Sequence, residues 1–398
     1  MLKINRLEWA SSSKEFSFKL PTRIEMGNGI LNKVGELCRE ICNGNKVFII
    51  SDPVIEETGM PGRVRKLLEE KQFYCKLYTQ VEPNPKDVDC EAGGEAIKSF
   101  GADMIVAVGG GSVLDSAKAI ALLQAHGGFL RDYVGKGTVT KKVVPIVAIP
   151  TTAGTGSEVT RSAVITDRAK SFKMTIKDLA LAPSLAIIDP ETTYSLPSGL
   201  TASTGMDAFV HALEAYTCRL SNPFVDMLAV KAMKLIYPAL ARVVKSGDDH
   251  EGRYRMMLGS LLAGLAFSHA DVAAIHCMAE ALGGLYDVPH GVANSIFLPV
   301  VTAFNARECP EKYAMAAGVC GLPVKGINDR EAAALLVSEL TEMATDIGIP
   351  RLADLEQVNP DHFPRLAKAA LANGSTPSNC CNIGEGDYLE LYRKAYAL

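Results

Sequence analysis

No CxxC pair occurs anywhere in this 398-residue chain, although ten cysteines are scattered along it. Zinc-ribbon spacing is therefore absent, and with no export signal beside them the thiols are expected to be reduced rather than paired. The opening stretch, MLKINRLEWASSSKEF, lacks an apolar core of signal-peptide length, and no uncharged run reads as a bilayer-spanning helix. The expectation is a cytoplasmic protein with no membrane partner. Lys and Arg number 41 against 45 acids, a formal net charge of −4, and they form no stripe that could track a phosphate backbone. No nucleic-acid partner is expected. Fixed-period repeats and low-complexity tracts are also missing.

What is present is ordinary globular material, 48% hydrophobic and 22% charged. The length exceeds what one hydrophobic core serves, so two domains are expected. Short apolar runs, KVFIIS (46–51), FYCKLYT (73–79), MIVAVGG (104–110), VPIVAIPTT (144–152) and LAIIDP (185–190), most of them rich in Val and Ile, alternate with helical patterns at 29–41, 62–70, 92–100 and 112–126. That alternation implies an α/β domain with a mainly parallel sheet covered on both faces. SAVITD (162–167) and SFKMTI (171–176) lie close enough to form a hairpin. After Pro197 the strand signal stops, and 201–218, 223–245, 251–268, 272–285, 329–347 and 385–396 read as helices. The expected division is 1–197, a dinucleotide-binding α/β domain, and 198–398, an all-α metal-binding domain.

Ligands of open α/β sheets bind beyond the carboxyl ends of the strands. Three strand ends here carry unusual residues: Asp52, the GGGSVLD stretch (109–115) and TTAGTGSE (151–158). Gly109, Gly110 and Gly111 permit positive φ and close backbone approach, and the helix start after them favours an anion such as a pyrophosphate. The GxGxxG fingerprint is nonetheless absent, because its third glycine falls at Leu114 or Val159, and no GxxxxGK[ST] occurs. Plain strand-to-helix turns would explain the same glycines. Asp52 suits a ribose hydroxyl and repels a 2′-phosphate, favouring NAD over NADP, while an ordinary Asp-Pro turn is the simpler account of it.

In GMDAFVHALEAY (205–216), Asp207 and His211 stand four residues apart, on one face of a very apolar helix. A local hydrogen bond would explain that pair. Five of the seven histidines, however, lie between 211 and 290. His276 on a helix and His290 after Pro289 could join the pair, giving one Asp and three His and leaving a divalent cation an open position. His250, after GDD in a solvated loop, and His269, at a helix end, are alternatives that capping explains more simply. His126 reads as a helix C-terminal residue and His362 as a surface one.

Together VEPNP (81–85), GGGSVLDSAKAIA (109–121), PTTAGTGSEVT (150–160), GMDAFVHALEAY (205–216) and the IH…PHG-x-AN pattern of 275–294 resemble the iron-containing (type III) alcohol dehydrogenases over most of the chain. The resemblance implies a dehydroquinate-synthase-like fold with the active site between an α/β half and a helical half. It implies Asp207, His211, His276 and His290 as metal ligands, for Fe²⁺ by family habit, although Zn²⁺ suits the same donors. It places Gly110, Gly111, Ser112 and Asp115 in one loop around NAD(H) and Thr151, Thr152 and Thr155 in a second. Asp52 matches the NAD-selecting acid, Lys173 a lysine near the ribose, and Leu200 an apolar residue packing on the cofactor. Many members carry HxxxH where this chain reads HCMAE, so Glu280 replaces a second histidine; proton relay, ligand orientation and pocket lining are its candidate roles, against a solvated helix carboxylate. The stretch TPSNCCNIGEGD (376–387) is irregular for the family.

The reaction so implied is hydride transfer between a nicotinamide and a small primary alcohol, diol or aldehyde, with the cation polarising the substrate oxygen. An anionic aldehyde such as sulfoacetaldehyde, with Arg161 a candidate for its head group, is one alternative. A polyol or sugar-phosphate dehydrogenase of the same fold is another. A non-catalytic nucleotide- or metal-binding protein is a remote third, since it could lose ligands that this chain retains. The apolar fraction of the helical half permits a homodimer or larger homo-oligomer.

Overall fold

Strands and helices alternate through the first half of the computed structural model, which describes residues 15–170 and 172–398. The leader reading of residues 1–14, and Ser171 at the start of the expected hairpin strand, lie outside the described residues. In chain order the elements are β1 (Arg23–Met26), α1 (Val34–Ile41), β2 (Lys46–Ile50), α2 (Pro53–Glu57), α3 (Met60–Glu69), β3 (Tyr74–Tyr78), α4 (Asp87–Phe100), β4 (Met104–Gly109), α5 (Gly111–His126), β5 (Gly135–Lys136), β6 (Ile146–Pro150), β7 (Ser162–Asp167), β8 (Phe172–Lys177) and β9 (Leu185–Ile188). The main sheet runs β1-β9-β6-β4-β2-β3 with every pair parallel. As expected, β7 and β8 pair antiparallel, and β5 joins β8 on its other side.

Period-two alternation explains why both faces of the sheet are covered. Val47 and Ile49 of β2 pack with Val34 and Leu37 of α1 and Val64 and Leu68 of α3, whereas Phe48 and Ile50 pack with Ile97 of α4 and Ile120 of α5. From β2 the chain moves outward to β3, and from β4 it moves the other way to β6, so the strand order reverses between β2 and β4. Asp52, the Gly109–Ser112 turn and the Thr151–Thr155 loop follow three adjacent strands at that reversal, where open α/β sheets form their ligand crevice.

From Ser198 onward the described residues contain helices only: α6 (Ser198–Thr217), α7 (Pro223–Lys245), α8 (His250–Ser268), α9 (Ala274–Tyr286), α10 (His290–Asn305), α11 (Pro310–Val319), α12 (Asp329–Asp346), α13 (Phe363–Leu371) and α14 (Glu385–Ala397). Beyond its exposed first turn, helix α6 is buried on nearly every side, with Met206, Phe209, Val210 and Leu213 inside the same core as Ala186 and Ile188 of β9. Gly205 allows this packing, because a Cβ there would lie 2.4 Å from a Leu240 methyl of α7.

Several expectations need correction. Helices α10, α11 and α13 were not expected; α10 is apolar on nearly all sides and carries Pro299, which hides a 3.6-residue period, and α13 is only nine residues long. His250 is the first residue of α8, behind an Asp249 cap, and not part of a loop. The irregular 376–387 stretch has a physical role: Asn379 is fully buried and exchanges two amide hydrogen bonds, 2.9 and 2.8 Å, with Asn305 at the end of α10. No helix among the described residues is long and apolar enough to cross a membrane.

Candidate active site

Three helices deliver the four expected ligands to one point. Asp207 and His211 come from α6, His276 from the first turn of α9, and His290 is the first residue of α10. One ligand atom from each lies within 4.8 Å of all the others. Gly291 makes the meeting of α10 and α6 possible, since a Cβ there would stand 2.4 Å from the Ser203 carbonyl oxygen. Asp207, His211 and His276 are almost fully buried, while the His290 side chain remains 26% exposed, so the cluster opens on that side. His211 is stacked on Phe267 with ring centroids 4.2 Å apart, which fixes its plane. His269 is engaged elsewhere, with ring nitrogens 2.8 and 2.9 Å from the Leu265 and Lys19 carbonyl oxygens, and His250 stacks on Tyr194. His126 ends α5 and His362 is exposed beside Tyr286, both as expected.

The polar atoms of the cluster do not satisfy one another. Nε2 of His276 and Nε2 of His211 face each other at 3.0 Å. The Asn294 amide nitrogen, one turn along α10 from His290, stands 2.6 Å from Asp207 Oδ1, 3.1 Å from His276 Nε2 and 3.2 Å from His290 Nε2. An amide has two hydrogens for those three neighbours. His211 Nδ1, His290 Nδ1 and Asn294 Oδ1 are buried without a partner. Acceptors outnumber hydrogens at this point, and one carboxylate with three imidazoles is the donor set a divalent cation takes. Burial drives His211 down to about 4 and His290 well below its ordinary value, so both are neutral and ready to ligate. For Asp207 burial works upward, but the histidines around it and the hydrogen bond from the Asn294 amide together outweigh burial and hold the carboxyl below its ordinary value. His276 moves the other way: burial opposes its charged form, and the adjoining Glu214 carboxylate overrides that.

On the sheet side the two expected cofactor loops touch. A Cβ at Gly111 would lie 2.5 Å from a Thr155 methyl, and one at Gly110 would lie 3.2 Å from that of Thr152. None of Gly109, Gly110 and Gly111 uses the positive φ that glycine permits; the space they leave is taken by threonine side chains and, at Gly109, by Val113. No side chain caps the start of α5, so its amides face the crevice uncapped, as an anion site requires. Thr151 is buried with its hydroxyl unpartnered.

Residues 21–190 match the iron-containing alcohol dehydrogenase family, and residues 201–396 match the C-terminal part of the Fe-containing alcohol dehydrogenase family. The chain belongs to this family. It is 38% identical to 1,3-propanediol dehydrogenase of Citrobacter freundii over 97% of this chain and 100% of that one. It is also 38% identical to an NAD-dependent methanol dehydrogenase of Bacillus methanolicus, over 91% and 95% of the two chains. The crystal structure of a 1,3-propanediol oxidoreductase superposes with a TM-score of 0.93 at 37% identity, covering 96% of this chain and 100% of that one. As a member of this family the protein is an oxidoreductase acting on CH–OH groups.

Other residues expected from this alcohol dehydrogenase resemblance are placed as follows. Asp52 caps α2, accepting from the Ile55 amide at 2.9 Å, and burial raises its carboxyl above the ordinary range. Leu200 projects, 46% exposed, from the first turn of α6, and Ser112 is half-buried in the first turn of α5. Lys173 is buried on β8 and donates to the Asn84 side-chain oxygen of the VEPNP segment at 3.2 Å; burial lowers its ammonium. Asp115 accepts from Ser157 Oγ at 2.5 Å and from the Val164 amide at 2.9 Å, tying the first loop to the second. Glu280 stands one turn beyond His276, outside the ligand cluster. Asn373 donates to it at 2.6 Å, and it lines a concavity of about 220 Å³ with Lys170, Lys173 and Arg365. Arg161 is half-buried, with its Nε unpartnered. Sequence reasoning missed Asn294, Glu214 and Lys118; the AN of PHG-x-AN and the E of HALEAY stood inside quoted motifs, but nothing local marked them as neighbours of the site.

Proposed function

We propose that this enzyme is an NAD-dependent, divalent-metal-dependent alcohol dehydrogenase that interconverts a small primary alcohol or diol and its aldehyde by hydride transfer. The cluster of Asp207, His211, His276 and His290 with its orphaned polar atoms carries the reading. These four side chains would hold the cation, which when bound supplies Lewis-acid polarisation of a substrate oxygen. The chain's own contribution is placement. The uncapped start of α5 and the Thr151–Thr155 loop would hold the dinucleotide along one wall, with Asp52 receiving the ribose, and Leu200 and Lys173 flanking it. Half-buried Phe267, stacked on His211, covers one side of the cluster, leaving substrate to enter beside the partly exposed His290.

Residues 1–197 and 198–398 are proposed to act as two domains that close on substrate. Residence in the cytoplasm is the reading supported by the dispersed cysteines, which show no CxxC spacing. Assembly into a homodimer or larger homo-oligomer is supported by exposed Leu220, Phe224 and Met227 near the start of α7. Substrates with an anionic head are a second reading, favoured by Lys170, Lys173 and Arg365 around the Glu280 concavity. The test is metal analysis coupled to NADH-linked rates on propanediol, methanol, butyraldehyde, lactaldehyde and sulfoacetaldehyde. Activity on a neutral member that is lost with chelation and regained with Fe²⁺ or Zn²⁺ supports the first reading; a strong preference for sulfoacetaldehyde supports the second. Undiminished rates in protein shown to be free of metal overturn both.

A further inference from the structure

Glu214 lies seven residues after Asp207 and three after His211, on the same side of α6, and is 2% exposed. Its Oε1 accepts from the Ile275 amide at 2.7 Å. Its Oε2 accepts from the Ala273 amide at 2.9 Å and stands 2.5 Å from Nδ1 of His276. The first two contacts cap α9, whose N-cap residue, Ala273, has no side-chain oxygen to do so. The third reaches past the cap into the imidazole. Capping alone needs no contact with the ring, so the side chain does two things at once.

Both Glu214 oxygens already accept amide hydrogens at the start of α9, so the side chain faces the ring as an acceptor. The hydrogen between it and the ring therefore belongs to His276 Nδ1. That leaves Nε2 of the neutral ring with its lone pair turned toward His211, Asp207 and Asn294, where the ligand atoms converge.

We infer that Glu214 is a positioning residue of the centre: through Nδ1 it fixes the tautomer and plane of His276, so that Nε2 is the ligand atom. Helix α6 thus supplies two direct ligands and the orienting partner of a third. The inference rests on the proposed cation site, and outer partners of this kind typically change metal affinity roughly 10- to 100-fold.

The test uses the whole enzyme, stripped of metal, with ¹⁵N-labelled histidine, at a pH where the His276 ring is neutral. The expected spectrum assigns the His276 proton to Nδ1 in the unaltered protein; a proton on Nε2 overturns the inference without any variant. Glu214→Gln is then titrated with Zn²⁺ against a chromophoric chelator. The expected result is a roughly 10- to 100-fold weaker Zn²⁺ affinity together with a mixed or reversed His276 tautomer. Lower thermal stability with tautomer and affinity unchanged leaves Glu214 as a cap alone and overturns the inference. If the unaltered enzyme takes up no Zn²⁺ or Fe²⁺, the proposed function fails instead, and the two failures are distinct.

Discussion

Two buried polar clusters sit on opposite walls of the crevice, and they differ in whether they are complete. On the sheet side Lys118 of α5 is fully buried, and its ammonium donates to Ser157 Oγ at 2.6 Å, Thr160 Oγ1 at 3.0 Å and the Ser162 carbonyl at 2.7 Å, with Asp115 at 3.4 Å. Asp115 completes its own set through Ser157 and the Val164 amide. On the helical side Asp207, His211, His276, His290 and Asn294 are equally close together, yet three of their buried atoms have no partner. Burying an unpaired polar atom costs about 1–3 kcal/mol, so a fold keeps such atoms where something else pairs them. The closed cluster is a strut between the loops at 109–115 and 151–160, and the open one is the proposed metal site.

The contrast can be broken most severely at the open cluster. His290→Ala is expected to lower turnover by roughly 1,000-fold or more, about 4 kcal/mol of transition-state stabilisation, with bound metal lost and the fold kept, because the ring is partly exposed. Elemental analysis, NADH-linked rates and circular dichroism check this. Full turnover without metal would make the two clusters alike.

Lys118→Met breaks the closed cluster, removing the buried cation beside Asp115 and leaving the Ser162 carbonyl and Thr160 hydroxyl without their donor, and is expected to destabilise the protein by about 3–5 kcal/mol in urea unfolding. Lys118→Met combined with Asp115→Leu is expected to recover part of that loss. Failure to recover would mean that the strut acts by shape and not by charge.

Glu158, beside this strut, tests a smaller effect. Burial pushes its carboxyl from 4.5 up to about 7, with Lys118 opposing. The folded chain keeps its proton between those values while the unfolded chain releases it, so this group's contribution is full below pH 4.5 and is lost as pH rises toward 7. The loss amounts to about 3 kcal/mol. Glu158→Gln should flatten the difference between urea midpoints measured at pH 5 and pH 8; an unchanged slope would assign the pH dependence to other groups.

The smallest effect is expected at Asp52, which is both helix cap and candidate ribose acceptor. Asp52→Asn keeps the cap and removes the charge, so it should relax preference toward NADP with little change in stability. Asp52→Ala should relax the same preference and also cost about 1 kcal/mol. Unchanged NAD preference in both variants would place the ribose elsewhere.

Strands β2, β4, β6 and β9 were legible because each is a short Val- and Ile-rich run bounded by turn residues, and β3 because its aromatic and apolar residues make a short run of the same length. The four clustered side chains were legible for a different reason: Asp207 and His211 share a helical face by spacing, His276 and His290 were offered from the histidines crowded between 211 and 290, and the resemblance singled them out over His250 and His269. Helix α10, which places His290 and Asn294 together, was not legible, because a helix apolar on nearly all sides with an internal proline shows no clear period. The role of the glycines at 109–111 was legible only in part. Their need for space was correct, but its occupants are Thr152, Thr155 and Val113, chosen by how β4 and β6 lie side by side.

The sequence by itself determined what depends on neighbours a few residues apart: the alternating elements, the change to helices after Pro197, and the Asp207–His211 pair. Tertiary structure alone decided which distant groups meet, including Glu214 with His276 across 62 positions, Lys118 with Ser162 across 44, and Asn294 with Asp207 across 87. The physical reason is that helical and strand periodicities are set by backbone geometry within each segment. The few ångströms that separate a hydrogen bond from an orphaned atom are set by the close packing of whole helices, as when Gly205 and Gly291 let α6 approach α7 and α10.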